Sequence, residues 1–249
     1  MPYALTDPHP RLQAFVASLT ALVNRRCDEA TTLTQGRELL GALIACDDWL
    51  PESQAQPHAQ HYQQYLLYAD PQDRFSVVSF VWGPGQSTPI HNHTVWGLVG
   101  MLRGCERCLS YVRDDQGRYV SSGPEQLLQP GQIEAVSPTI GDVHRVCNGL
   151  SDQASVSIHV YGANIGKVSR SVFTPEGEQK SFVSGYCNAP QPWRASEGLR
   201  VTPVAEVRAA LLQRQEVALL DVREEDPYAQ SHPLFAVNLP LSRLEARSE

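Results

Sequence analysis

The sequence predicts a mainly β protein: a small antiparallel β-barrel or sandwich with helices before it and a partial α/β extension after it. Three observations lead there. From about residue 60, segments rich in Val, Ile, Phe, Trp and Tyr alternate with Gly and Pro breaks, as in FSVVSFVW, GPGQSTP, IHNHTVWGLVGML and RG. The rhythm continues through RCLSYV, DDQG, RYVSSG, QIEAV, SPTIGD, VHRVCN and ASVSIHVYG, and short strands at near-regular spacing with turns between them build stacked or closed sheets. On either side of this stretch the apolar period is that of helices, and the last fifty residues read as helix, strand, strand.

The first fifty residues justify the leading helices. Leu12, Phe15, Val16, Leu19, Leu22 and Val23 follow the three-and-four spacing of one apolar helix face. A second helix is marked by Leu39, Leu40, Leu43 and Ile44 and ends before Pro51. Their polar faces are not strongly basic, so they read as packing helices rather than membrane-surface helices.

At the other end, the Pro-rich stretch from Asn188 to Gly198 reads as a linker. The chain is therefore expected to divide into a domain over 1–190, a linker over 191–199 and a segment over 200–249. In that segment Thr202 is placed to cap a helix, Pro203 takes its first turn, and Val204, Val207 and Leu211 form its apolar face. A buried strand over 217–222 and a second short one near Val237 to Leu239 follow.

Charge and composition exclude whole classes of function. A net charge of -7 with no clustered Lys and Arg argues against nucleic acid or an anionic membrane as partner. The stretch MPYALTDPHPRLQ has no secretory-signal pattern, and no run approaches the ~18 apolar residues of a membrane span. A soluble cytoplasmic protein is expected. Its six cysteines are scattered, which reads as free thiols in a reducing compartment. Cys105 and Cys108 form one C-x-x-C on a predicted strand, where residues three apart point to opposite faces, so a spectator role is expected.

The chemistry concentrates in histidines. Ile90-His91-Asn92-His93 lies inside a predicted strand, so His91 and His93 project to one face and Asn92 to the other. Around it the glycines give G-x5-H-x-H-x3-G-x6-G from Gly85 to Gly104, and Gly141-x2-His144-x3-Asn148 supplies a third histidine beside a turn. These two segments resemble the two-part motif of the cupins, small antiparallel β-barrels that bind a metal through two His from the first segment and one from the second. Cupins usually add a Glu about four residues after the second His. Here that position is Gly97, followed by Leu98, so a neutral set of three His remains. Imidazole suits iron, zinc, copper and nickel alike, and a three-His zinc site for hydrolysis is the rival reading.

Ser157, His159 and Tyr161 stand at i, i+2 and i+4 in SVSIHVY and share one face of a strand. A solvent-facing polar face is the plain reading; in a barrel the row lines the metal cavity and relays hydrogen bonds to the phenol. H-N-H-T, G-D-V-H-R-V and S-I-H-V-Y together resemble the thiol dioxygenases, that is, cysteine dioxygenase and more closely the 3-mercaptopropionate dioxygenase branch, over roughly residues 10 to 187. The resemblance implies a cupin fold binding Fe(II) through His91, His93 and His144, with Ser157, His159 and Tyr161 as the network beside it. Animal cysteine dioxygenases carry a Cys–Tyr thioether; the matching position here is Gly97, so no cross-link is expected through it.

The same resemblance places the substrate. Gln64, in His61-Tyr-Gln-Gln-Tyr65, stands where cysteine dioxygenases carry a carboxylate-binding Arg, and the form with Gln is associated with 3-mercaptopropionate and similar thiols. Arg170, in GKVSRSVF, matches an Arg of that branch and adds positive charge nearby. Apart from the resemblance, Gln64 reads as a helix-surface residue and Arg170 as a solvated loop charge. The implied reaction adds both atoms of O2 to the sulfur of a small thiol carboxylic acid, giving a sulfinate. L-cysteine and mercaptosuccinate are the alternative substrates, and a zinc, nickel or non-catalytic cupin is the alternative class. Partners are then a small thiol and O2; a homo-oligomer stays open.

The C-terminal segment resembles the opening of a rhodanese domain over residues 200 to 245, with V-A-L-L-D-V-R-E-E, a degraded S-H-P-L-F-A, and N-L-P-L-S-R-L-E. No later cysteine follows in this sequence, so no sulfurtransferase activity is carried over, and Asp221 and Arg223 match structural positions only. A segment this short is expected to bury too little apolar surface to fold alone.

Overall fold

A computed structural model describes residues 8–188, 204–213, 219–222 and 236–238. Two helices come first. α1 (Pro10–Asn24) starts with Pro at its first position, where the missing N–H costs nothing, and buries Leu12, Phe15, Leu19 and Leu22. α2 (Glu29–Ile44) is capped by Asp28, whose side chain accepts the Thr31 N–H, and buries Leu33, Leu40, Leu43 and Ile44. Both agree with the periodicity in the sequence.

Twelve strands follow among the described residues up to 188. One sheet contains β1 (Gln63–Ala69), β2 (Ser76–Trp82), β4 (Gly97–Arg103), β8 (Ile133–Val136) and β10 (Ser155–Tyr161), in the order β1-β2-β10-β4-β8. The other runs β12-β11-β3-β9-β5-β6, with β7 also paired to β5. Its strands are β3 (Ile90–His91), β5 (Glu106–Arg113), β6 (Tyr119–Ser121), β7 (Gln126–Leu128), β9 (His144–Asn148), β11 (Arg170–Phe173) and β12 (Gln179–Phe182). All pairings in these two sheets are antiparallel. From β2 to β5 and from β7 to β11 the chain alternates between the two sheets at every strand, the arrangement of a double-stranded β-helix, while β1/β2, β5/β6 and β11/β12 pair as neighbours within one sheet.

The central strands are buried on both faces, which sets the site. In β10 the residues Val156, Ile158 and Val160 share a core with Leu40 and Ile44 of α2, and each fully buried aliphatic side chain contributes roughly 1.5–3 kcal/mol. Gly100 of β4 permits this approach, since a Cβ there would meet Ile44 at 2.9 Å and Leu40 at 3.1 Å. The opposite face of β10, carrying Ser157, His159 and Tyr161, turns into the barrel. That face is buried, not solvent-exposed.

Three sequence expectations change here. IHNHTVWGLVGML is not one strand: β3 ends at His91, and β4 begins at Gly97. Gln64 lies in a sheet strand rather than on a helix. Asn188 is part of the barrel unit, its side chain accepting the Leu66 N–H at 2.8 Å and donating to the Leu66 carbonyl at 2.9 Å; the remainder of the Pro-rich stretch lies outside the described residues.

The chain separates into two compact units, 1–191 and 192–249. In the second, α3 (Val204–Leu212) buries none of its residues, and Val204 is largely exposed. β13 (Leu220–Asp221) pairs in parallel with β14 (Val237–Asn238). Thr202, Pro203, Arg223, Leu239 and most of the rhodanese-like residues lie outside the described residues. No described helix is long and apolar enough to cross a membrane.

Candidate metal centre

Strand register brings two of the three candidate histidines together. His91 and His144 are direct partners across β3 and β9, and opposed residues of an antiparallel pair share a face. Their ring centroids stand 4.8 Å apart. β3 is held on its other side by β11, where His91 opposes Val172.

His93 arrives by a different route. It lies beyond the end of β3, in a turn where Thr94 adopts φ +62°, so strand alternation does not place it. Asp142 does. Its carboxylate accepts the backbone N–H groups of His93 at 3.0 Å and Thr94 at 2.9 Å, and stands 3.0 Å from His93 Nδ1. Asn92 points the other way and ties the turn to β11, its Oδ1 accepting the Ser171 N–H at 2.8 Å. The turn therefore returns the His93 ring to within 5.0 Å of His91 and 4.9 Å of His144, centroid to centroid.

Each ring has its Nδ1 engaged. His93 Nδ1 faces Asp142, His91 Nδ1 lies 3.1 Å from the Pro89 carbonyl, and His144 Nδ1 lies 3.3 Å from Cys108 Sγ. This leaves Nε2 as the atom each ring can offer a metal, with outer partners that fix ring orientation. Ligand atoms of the three rings all lie within 4.8 Å of one another, and all three residues are buried. Burial, and then the charge of His93, lowers His91 to about 3, and burial lowers His144 well below the usual imidazole value. Neutral imidazoles are what a metal takes. The donor set fits a transition metal and suits neither calcium nor magnesium, which take oxygen ligands.

Cys108 departs from expectation. It is buried beside His144 rather than idle, and burial raises its thiol, so it stays protonated. Cys105 falls just before β5.

The β10 row forms a continuous chain. Ser157 Oγ lies 2.8 Å from His159 Nε2, and His159 Nδ1 lies 2.7 Å from Tyr161 Oη. The Tyr161 ring stacks 5.4 Å from His93, and Phe80 stacks on His159 at 4.2 Å. Burial lowers His159 and raises the Tyr161 phenol, so both stay neutral. Gly97 is the cross-strand partner of Tyr161. A Cβ there would stand 3.0 Å from the phenol ring, so glycine lets the ring lie close against the β4 backbone.

A cavity of about 120 Å³ opens over the three imidazoles, and Tyr161, His159, Gln64 and Arg170 also line it. Ser157 stands one link behind its wall. Arg170 is only 4% exposed, which overturns the solvated-loop reading. Its guanidinium lies 4.7 Å from the Phe182 ring, one Nη donates to Ser184 Oγ at 2.7 Å, and its Nε has no hydrogen-bond partner. Gln64 Nε2 donates to the same Ser184 Oγ at 3.1 Å and to the Gly185 carbonyl at 3.0 Å. Ser184 thus couples the two, a role that nothing in its sequence neighbourhood signals. Asp142 did carry a signal, as an acid two residues before a ligand. Glu106, buried with Ser157 and Trp82 acting on its carboxyl, carried none.

Among solved structures, the chain is similar to a double-stranded β-helix protein from Klebsiella pneumoniae, at 17% identity over 48% of this chain and 88% of that one, with a TM-score of 0.36. A cupin superfamily protein from Desulfitobacterium hafniense matches at 15% identity over 47% and 93% of the two chains, TM-score 0.35. The DMSP lyase DddQ from Ruegeria pomeroyi matches at 16% over 68% and 99%, TM-score 0.38. Residues 55–170, the segment that holds His91, His93, His144 and the β10 row, match the family model of cysteine dioxygenase type I.

Proposed function

We propose that this protein is an iron-dependent thiol dioxygenase acting on a small thiol carboxylic acid, 3-mercaptopropionate first among them. The observation that carries the reading is one cavity: three imidazoles on one wall and, on another, a phenol held by His159 and Ser157. His91, His93 and His144 would hold the metal through Nε2. When bound, ferrous iron supplies a redox-active centre for thiol and dioxygen and lowers the thiol pKa. The overall change is R–SH plus O2 to the sulfinic acid R–SO2H, in which sulfur gives four electrons and no external reductant is needed.

The remaining roles belong to the chain. Arg170 would bind the substrate carboxylate, since its buried guanidinium has a free Nε and faces the cavity; a buried charge without an anion is costly, and a carboxylate offsets that. Gln64, fixed by Ser184 and Gly185, would orient the same end as a neutral donor. Tyr161 would donate a hydrogen bond to the reacting groups. The described lining contains no Asp or Glu. An amino group such as that of L-cysteine would find no anionic partner there, and the second carboxylate of mercaptosuccinate no second cation. The volume, well below the ~300–1,000 Å³ of ordinary ligand pockets, suits a substrate of a few heavy atoms.

The test is metal analysis of anaerobically purified protein, followed by oxygen uptake with 3-mercaptopropionate, L-cysteine and mercaptosuccinate. Bound iron, a sulfinate product and the highest kcat/KM for 3-mercaptopropionate are expected. Iron-loaded protein that consumes no oxygen with any of the three would overturn the reading.

A further inference from the structure

The relay does not stop at Ser157. Glu106, at the start of β5, is 2% exposed, and Ser157 and the Trp82 indole are the polar groups that act on its carboxyl. Trp82 Nε1 also lies 3.5 Å from Ser157 Oγ. The chain of groups is therefore Glu106, Ser157, His159, Tyr161 and then the cavity. Apart from Ser157 and Tyr161, the titratable groups whose charge bears on Glu106 are Cys108 on its own strand and Glu134 on β8. Directly opposite it, β9 presents Asn148 and β7 presents Leu128. None of these is a cation.

Proton counting fixes what each state of Glu106 does. A neutral imidazole carries one N–H, so it donates from one nitrogen and accepts at the other. If Glu106 is protonated, it donates to Ser157, Ser157 donates to His159 Nε2, and His159 Nδ1–H donates to Tyr161. The phenol hydrogen is then left to donate into the cavity. If Glu106 is ionised, it can only accept. Ser157 then donates to the carboxylate, His159 donates from Nε2, and Tyr161 must turn its hydrogen to His159 Nδ1, away from the cavity. The two states differ by a single proton exchanged with solvent.

We propose that Glu106 is the positioning residue of this relay: its protonated carboxyl turns the chain outward so that Tyr161 donates into the cavity, and its ionised form reverses the chain. Two observations support the outward state near neutral pH. One carboxyl oxygen of Glu106 is buried with no partner, which penalises an ionised group more than a neutral one. Burial also pushes this acid up to about 7. The catalytic meaning of the switch rests on the dioxygenase reading above; the switch itself does not.

His159 reports the polarity directly. Long-range 1H–15N spectra of the metal-free full-length chain, labelled at histidine, distinguish Nδ1–H from Nε2–H imidazole, and a His159→Gln variant identifies the signal. In the wild type, His159 is expected to pass from Nδ1–H to Nε2–H between about pH 5.5 and pH 9, across the neutral range in which such a proton switch operates. Glu106→Gln keeps an amide N–H for Ser157 and should hold the Nδ1–H form throughout; Ser157→Ala breaks the link and should abolish the pH dependence. A wild-type His159 that keeps one tautomer over that range overturns the proposal, and so does a Glu106→Gln transition at the wild-type midpoint. Because this readout needs neither metal nor turnover, loss of the dioxygenase reading would leave it standing.

Discussion

Asp142 holds His93 twice, once by its backbone N–H and once at ring Nδ1, each at 3.0 Å. A single carboxylate therefore places the turn and orients the imidazole. Asp142→Ala should release both, and outer partners of metal-bound histidines are worth about 10–100-fold in metal affinity. A competitive metal titration checks this. Affinity unchanged from wild type would show that the turn holds its shape without the carboxylate.

Tyr161→Phe removes one hydroxyl from a buried stack and leaves the three imidazoles in place. Iron content should match wild type, while turnover should fall by about 10²–10⁴-fold, the usual worth of a positioned proton donor. Full turnover in this variant would remove the phenol from the mechanism.

Arg170→Gln should act on substrate binding rather than on the metal. Hydrogen bonds to charged groups are worth roughly 1.5–3 kcal/mol, so KM for 3-mercaptopropionate should rise on the order of tenfold to a hundredfold. KM for a thiol lacking the carboxylate should hardly change. A parallel rise for both would place Arg170 in the fabric of the barrel instead.

Glu106 carries a consequence for stability. Its acid is raised from 4.5 to about 7 in the fold, so between those values the native state holds a proton that the unfolded chain has released. Stability from this group is complete below pH 4.5 and is lost as pH rises through about 7, by roughly 3 kcal/mol in all. Glu106→Gln has no such proton to lose. Denaturant midpoints at pH 5 and pH 8.5 should diverge less for the variant than for wild type, and equal divergence would show that Glu106 titrates normally.

What the sequence disclosed divides along a physical line. Ser157, His159 and Tyr161 were legible because a strand repeats every two residues, and β10 is a regular strand. The helices were legible for the same reason at their own period. His93 reached the site although the strand reasoning for it fails, because the turn after His91 is shaped by Asp142, an acid 49 positions away. Glu106, Ser184 and Cys108 meet the site through strand pairing and the closing segment, and pairing is not written locally. The burial of Arg170 belongs to the same class: a lone Arg in a polar stretch looks solvated until β12 covers it.

The bare backbone at Gly97 has a consequence in time. With no side chain at position 97, no sulfur can reach the Tyr161 ring from there, and the phenol is held by its hydrogen bond with His159. On the dioxygenase proposal, metal-loaded protein should therefore show no lag: its first cycle should run as fast as its hundredth.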